Sequence, residues 1–127
     1  TYQGGILDTQ KAHVKSLITG TSYYANFASS STLTPNALFG NNVDVVLTSS
    51  VTINIPTNPE DFQLYRYRIK QDAAGNRTVI LGSGFAFGAD VTSWSASTAA
   101  NKTDYLGCIY SAAAAKCHVV SGSLRGY

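Results

Sequence analysis

Hydrophobic and polar residues alternate most regularly between residues 62 and 70. Tyr65, Tyr67 and Ile69 occupy odd positions of this run, and basic residues occupy the even positions from 66 to 70. Side chains of a β-strand point alternately to its two faces, so the pattern predicts a strand with one apolar and one basic face. We expect the apolar face to enter the core and the basic face to meet water or a partner.

Other short segments of the chain also have strand patterns. Residues 43–47 are rich in β-branched side chains, residues 51–55 alternate apolar and polar side chains, and residues 85–87 place two aromatic rings on one face. Residues 72–76 contain Gly-Asn, which tolerates positive φ, and predict a hairpin loop from which residues 77–81 return as a strand.

A second hairpin is predicted near the end of the sequence. Residues 104–111 and 116–123 form its strands, and four alanines form a connection too short to be an independent helix. Seven or eight short strands separated by turn signals predict an all-β protein with an antiparallel β-sandwich or jelly-roll-like body.

The composition changes near residue 40. Residues 1–40 are rich in Ser, Thr and Asn, and we interpret them as an extended N-terminal arm or assembly segment; residues 41–127 are the predicted β-sandwich body. Residues 6–18 fit a helical stripe only in part, and a short strand is the alternative there.

Charge and hydropathy argue against two classes of partner. Charged residues make up 13% of the chain and the net charge is +2, without the clustered basic face of a nucleic-acid binder. No run approaches the 18 apolar residues of a membrane span. The first residues lack the pattern of a secretory signal.

Candidate catalytic and metal-binding groups are sparse. The acidic residues are Asp8, Asp44, Glu60, Asp61, Asp72, Asp90 and Asp104. None forms an evident pair for glycoside hydrolysis, and Asp72 is expected to cap its own turn. His118 follows Cys117 directly in a strand, so their side chains diverge. We therefore expect neither an enzyme, nor a metal site, nor a cofactor.

The two cysteines leave two alternatives. Cys108 and Cys117 could face each other across the second hairpin. Opposed Cβ atoms lie about 4.5–5.5 Å apart, slightly more than the roughly 3.5–4.5 Å that a disulfide prefers. A strained disulfide and a pair of buried thiols are both compatible, and a reducing cytoplasm favours the thiols.

Aromatic and basic side chains supply the candidate interaction residues. Tyr23, Tyr24, Trp94 and the Tyr65/Tyr67 face could form a sugar-stacking platform, but packing in the core or at an interface is favoured for Tyr65, Tyr67 and Trp94. The other set is the basic strand face of Arg66, Arg68 and Lys70, which would suit an acidic neighbouring subunit.

One stretch resembles a known module. Residues 68–85, RIKQDAAGNRTVILGSGF, resemble a module of tailed-bacteriophage virion proteins, including tail-fibre and head-decoration proteins. Residues 97–105 through 109–110 look like the next strand of that module, and residues 55–59 also fit. The resemblance covers about residues 43–127. The module tends to carry bulky aromatics in its final hairpin, where this chain has its two cysteines.

The resemblance implies a β-sandwich that works as a trimeric or lattice-bound structural unit, with no catalytic residues. The chain lacks a long repetitive shaft, so a capsid decoration (cement) protein is the expected function. Its partners would be copies of itself in a homotrimer and the major capsid protein of the same phage. It would be made in the bacterial host cytoplasm and act on the capsid exterior of the virion. The alternative is a tail-fibre tip that binds host-surface glycans.

Overall fold

A computed structural model describes residues 20–25, 27 and 31–127 of the chain. Within these residues the protein is all-β, with nine strands and one short 3-10 helix, Ala37–Phe39. The strands are β1 (Thr21–Tyr24), β2 (Ser31–Leu33), β3 (Asn42–Leu47), β4 (Val51–Ile53), β5 (Leu64–Gln71), β6 (Val79–Leu81), β7 (Phe85–Ala86), β8 (Thr103–Ser111) and β9 (Lys116–Gly122).

The strands form two sheets between which the chain alternates. The large sheet has the order β1-β3-β5-β8-β9-β7, and the small sheet has the order β2-β4-β6. From β1 to β6 each strand of one sheet is followed by a strand of the other, and every return to a sheet adds a parallel neighbour. These strands therefore follow a coil, which is the arrangement of a β-solenoid.

Parallel pairing in register stacks like residues above one another. Leu33, Ile53 and Leu81 form one row of the small sheet. In the large sheet Val43 pairs with Tyr67, and Val45 pairs with Ile69. Apart from the partly buried Leu81, these side chains are buried in one shared core. The alternation read from the sequence of β5 is confirmed, because its odd positions are buried and its even positions exposed.

The second part of the large sheet is antiparallel. β8 pairs with β5 and with β9 in antiparallel fashion, and the four alanines lie between β8 and β9 as predicted. Here the small sheet has ended, and an irregular segment that includes Phe87, Val91 and Ala96 packs against the core instead. We name β1–β6 the parallel coil, and β8–β9 with residues 87–102 the antiparallel cap.

The predicted antiparallel body is therefore corrected in part. Antiparallel pairing is confined to β5, β8 and β9, and the other pairs are parallel. Alternation of apolar and polar residues is the same in both kinds of pair, so it could not distinguish them.

The predicted hairpin at residues 72–76 is wrong. β6 pairs with β4 in the small sheet, not with β5. The predicted turn itself is confirmed. The backbone N–H groups of Ala74 and Gly75 donate to Asp72 Oδ1 at 3.1 and 3.0 Å, so Asp72 caps the turn. Gly75 and Asn76 have positive φ, as expected. The capped turn is a corner that sends the chain from one sheet to the other.

The predicted boundary at residue 40 does not hold for the residues that the structure describes. β1 pairs with β3 and β2 pairs with β4, and Leu33 and Ala37 are buried in the core. These strands are too short to show a clear alternation, so their partners were visible only in the fold. Residues 1–19, and with them the ambiguous segment 6–18, lie outside the described residues.

The cysteines form a disulfide, and the favoured pair of thiols is wrong for this structure. Cys108 and Cys117 are bonded and both are fully buried. They are diagonal rather than directly opposed, because Cys108 pairs with Val119 and Cys117 pairs with Tyr110. The Cα–Cα distance of 5.4 Å lies within the ordinary range for a disulfide.

Candidate interaction surface

The outward face of the large sheet carries a row of functional side chains across four strands. In register, Tyr23 of β1 is paired with Asp44 of β3, which is paired with Arg68 of β5. Arg68 is in turn paired with Tyr105 of β8. Adjacent strands lie about 4.8 Å apart, so the row spans roughly 14 Å. It places an aromatic ring at each end and an ion pair in the middle.

The ion pair has a two-pronged geometry. Arg68 donates to both carboxylate oxygens of Asp44, through Nε at 3.1 Å and Nη2 at 2.7 Å. The hydrogen bond from Arg68 lowers the pKa of the Asp44 carboxyl, although partial burial acts in the other direction. The hydrogen bond that Arg68 donates to Asp44 likewise raises the pKa of Arg68, with a smaller contribution from Tyr105. This guanidinium is therefore locally neutralised by a bidentate pair that links β3 and β5.

The two other cations of β5 lie on either side of this pair. Arg66 Nε donates to the neutral Asn42 amide oxygen at 2.9 Å, so its charge is not neutralised there. Neither Arg66 nor Lys70 forms a salt bridge with any residue that the structure describes. Two residues of a strand that are four positions apart are separated by about 13 Å. The face therefore has two uncompensated positive charges separated by a neutral pair.

Tyr105 and Tyr127 form an aromatic pair beside Lys70. Their ring centroids are 5.9 Å apart and the rings meet edge to face. The backbone of Tyr127 is fixed by two hydrogen bonds to the backbone of Thr103, at 2.8 and 3.0 Å. The side chain of Tyr127 is 79% exposed and that of Tyr105 is 46% exposed. These rings can therefore contact a ligand without a rearrangement of the sheet.

Two shallow depressions flank the Arg68–Tyr105 contact. The first, of about 270 Å³, extends toward Arg66 and includes Thr21 and Asn42. The second, of about 450 Å³, extends toward Lys70 and includes Thr103 and Tyr127. Both share the row of Asp44, Arg68 and Tyr105. We name these five side chains, Asp44, Arg66, Arg68, Lys70 and Tyr105, the polar centre.

An apolar patch lies at the other end of β5 and β8. Leu64 and Ile109 are register partners at that end. Phe62 lies two residues before Leu64, its side chain is 83% exposed, and its N–H donates to the Tyr110 carbonyl at 2.7 Å. Its φ of 71° is unusual for a residue other than glycine. We name Phe62, Leu64 and Ile109 the apolar end.

The aromatic residues that could have formed a sugar-stacking platform lie in different environments in the structure. Tyr23 is exposed on the outer face, but Tyr24 packs against the core. Trp94 is buried, with only 8% of its surface exposed, as the packing interpretation expects. Tyr65 and Tyr67 are also buried, and burial raises the pKa of both hydroxyls. The predicted sugar platform of Tyr23, Tyr24 and Trp94 is therefore not assembled on one surface.

Sequence reasoning missed Asp44, Tyr105 and Tyr127 as members of this surface. The outward position of Tyr105 follows from alternation along β8, because its neighbours Asp104 and Leu106 are buried. Asp44 alternates with Val43 and Val45 in the same way. Their cross-strand neighbours depend on the parallel register of β3 and β5, which the sequence pattern does not specify.

The remaining carboxylates of the described residues have mainly structural partners. Asp104 is buried and accepts hydrogen bonds from Ser97 N, Ser97 Oγ and Ser123 Oγ at 2.6, 3.1 and 3.0 Å. Asp72 caps its turn and pairs with Arg77, which lowers its pKa. Among the described residues no group of three metal-ligating side chains occurs. In that part of the chain no helix has the length and apolar character needed to cross a membrane.

Comparisons with models of known protein families, with curated proteins and with solved structures gave no match for this chain.

Proposed function

We propose that this protein is a structural component of a tailed-bacteriophage virion, and specifically a capsid decoration protein. In this proposal it binds the exterior of the assembled shell, bridges major capsid subunits and opposes the pressure of the packaged genome. The two sheets around one core would act as a rigid, sandwich-like unit. The proposal rests on the resemblance of residues 68–85 and on the open outer face of the large sheet.

The observation that carries the proposal is the apolar end. Interfaces are centred on buried aromatic and aliphatic anchors with charged groups around them. Phe62 is an exposed aromatic ring, held in a conformation that is costly for a residue with a side chain. Such strained positions are concentrated at functional sites.

Two further observations support this role. β6 is an edge strand of the small sheet and Ile80 on it is 65% exposed, so a second copy of the chain could cover it. A homotrimer built in this way would multiply weak shell contacts through avidity. The Cys108–Cys117 disulfide suits a protein that functions outside the reducing host cytoplasm.

The decisive measurement is the number of copies per virion. We expect a copy number comparable to that of the shell subunits, measured by quantitative mass spectrometry of purified particles. A copy number comparable to that of the tail fibres would overturn the decoration role and support the fibre-tip alternative. Light scattering of the purified 13.5 kDa chain should show a trimer.

A variant test examines the apolar end. Phe62→Ser should strongly reduce attachment to shells that lack the protein, because the anchor is lost. Leu124→Ser is the matched control, since Leu124 is 77% exposed and lies outside the apolar end. Equal attachment of both variants would contradict the assignment of the apolar end as the shell contact.

A further inference from the structure

The polar centre has the features of a ligand site that the shell contact does not use. It combines two uncompensated cations, a bidentate guanidinium–carboxylate pair and an exposed aromatic ring around two depressions that share three lining residues. Ligand sites commonly combine aromatic surface with a few well-placed polar groups. Hydroxyl and amide groups of Thr21, Asn42 and Thr103 complete the linings.

We propose that the polar centre binds a carboxylate-bearing oligosaccharide. Arg66 and Lys70 would each receive a sugar carboxylate, one in each depression. The apolar face of a sugar ring would pack on Tyr105 between them. Ring hydroxyls would bond to the remaining acceptor and donor positions of Asp44 and Arg68, which are already held together by two hydrogen bonds of 3.1 and 2.7 Å.

The spacing of charges distinguishes this ligand from a nucleic acid. Arg66 and Lys70 are about 13 Å apart along β5 with a neutral pair between them, whereas a nucleic-acid binder presents a clustered basic face that neutralises a run of phosphates. Phosphates placed over the neutral pair would find no free cation. The ring hydroxyls of a sugar chain can instead form hydrogen bonds there.

The lining also distinguishes the ligand from a protein partner. The side chains around both depressions are mainly hydroxyl, amide and charged groups, whereas the exposed Phe62 and Leu64 lie at the apolar end. A folded protein partner is therefore expected at the apolar end and a hydroxyl-rich ligand at the polar centre.

The test is isothermal titration of the purified chain with a short oligomannuronate, and with a neutral oligomannose of the same length. These probes differ in the carboxylate groups. We expect binding of the oligomannuronate, about tenfold weaker or undetectable binding of the oligomannose, and weaker binding at higher salt. Equal binding of both sugars, or no binding of either, would overturn the proposal.

Variants locate the site. Arg66→Gln and Lys70→Gln should each weaken binding about tenfold, because each removes one charged contact. Lys116→Gln is the matched control; it removes the same charge from β9 outside both depressions and should change affinity less than about twofold. Tyr105→Ala should also weaken binding, with its fold verified by circular dichroism. If the control variant weakens binding as much as the others, the site assignment is wrong.

A single-stranded oligonucleotide of matched charge tests the competing ligand class. We expect it to bind more weakly than the oligomannuronate at the same salt concentration. Tighter binding of the oligonucleotide would assign the surface to polyphosphates and overturn the sugar proposal. Because these titrations contain no shell, their outcome is independent of the shell-attachment test of Phe62→Ser.

Discussion

The parallel coil and the antiparallel cap share one large sheet but are stabilised in different ways. In the coil, parallel register places apolar residues above apolar residues, as in the row of Leu33, Ile53 and Leu81. In the cap, the core also contains a disulfide and the buried carboxylate of Asp104. The coil depends on contacts between residues distant in sequence, whereas the cap is built on one local hairpin with specific bonds.

The junction between the two regions is a polar clamp. Gln71 is buried at the end of β5, and its amide nitrogen donates to the carbonyls of Arg77 and Ser97 at 2.7 and 2.8 Å. Its amide oxygen accepts from Arg77 N at 3.1 Å. One side chain thus ties the corner of the coil to the irregular segment of the cap. Its satisfied hydrogen bonds explain how an amide is tolerated at a core position.

The largest loss of stability should come from a substitution in the core of the coil. Ile53 is fully buried in the middle of its row, so Ile53→Ala should lower the free energy of unfolding by about 4 kcal/mol. Urea denaturation followed by fluorescence provides the measurement. The adjacent outward position supplies the control, because Thr52→Ala should change stability by less than about 0.5 kcal/mol. A loss below about 1 kcal/mol for Ile53→Ala would show that the coil does not depend on this row.

The cap should respond next to removal of its cross-link. Replacing both cysteines, Cys108→Ala with Cys117→Ala, should cost about 3 kcal/mol, because the denatured chain is no longer closed into a short loop. A reductant should destabilise the wild-type protein by a similar amount and leave the double variant unchanged. An identical urea midpoint for the wild-type protein with and without reductant would contradict the prediction.

The buried carboxylate of the cap should contribute somewhat less. Asp104→Asn replaces a charged acceptor that receives three hydrogen bonds with a neutral amide, at a cost of about 2 kcal/mol. Hydrogen exchange should show faster exchange of the Ser97 amide in the variant. Asp90→Asn is the control, since Asp90 is exposed in the loop segment. Unchanged protection of Ser97 would mean that this bond does not hold the segment.

The smallest effect should come from the surface ion pair of the coil. The folded pKa of Asp44 is lowered below its ordinary value of 3.8, so the pair stabilises the fold above pH 3.8 and this contribution is lost as pH falls through the lower folded pKa. A carboxyl titration by NMR should show the low pKa in the wild-type protein. Arg68→Gln should return the pKa toward 3.8, and an unchanged value would contradict the assigned cause.

The cap was also more predictable from the sequence than the coil. The β8–β9 hairpin was predicted because its strands are neighbours in sequence and its turn is short. β3, β4 and β5 were also recognised as strands, but their partners were not. The local hydrogen bonds of the turn capped by Asp72 were predicted correctly. The hairpin inferred from that turn was wrong, since a turn with the same hydrogen bonds can close a hairpin or connect two sheets.

The candidate surface shows the same limit. The outward position of Arg66, Arg68 and Lys70 followed from alternation alone. The neutralisation of Arg68 by Asp44, and the position of Tyr105 beside it, required knowledge of which strands lie on either side of β5. Trp94 was expected to pack either in the core or at an interface, and an isolated aromatic residue in an irregular segment has no periodicity that could distinguish the two; only the fold shows that it is buried.

The sequence by itself determined the β class, the two faces of each longer strand and the local turns, because these depend on side-chain alternation and on backbone preferences within a few residues. Only the tertiary structure decided that the first six strands coil in parallel between two sheets, that Cys108 meets Cys117 diagonally, and that an ion pair separates two free cations. The first and last of these features depend on register between distant segments, and the disulfide depends on the register within one hairpin. Many registers bury the same apolar residues equally well.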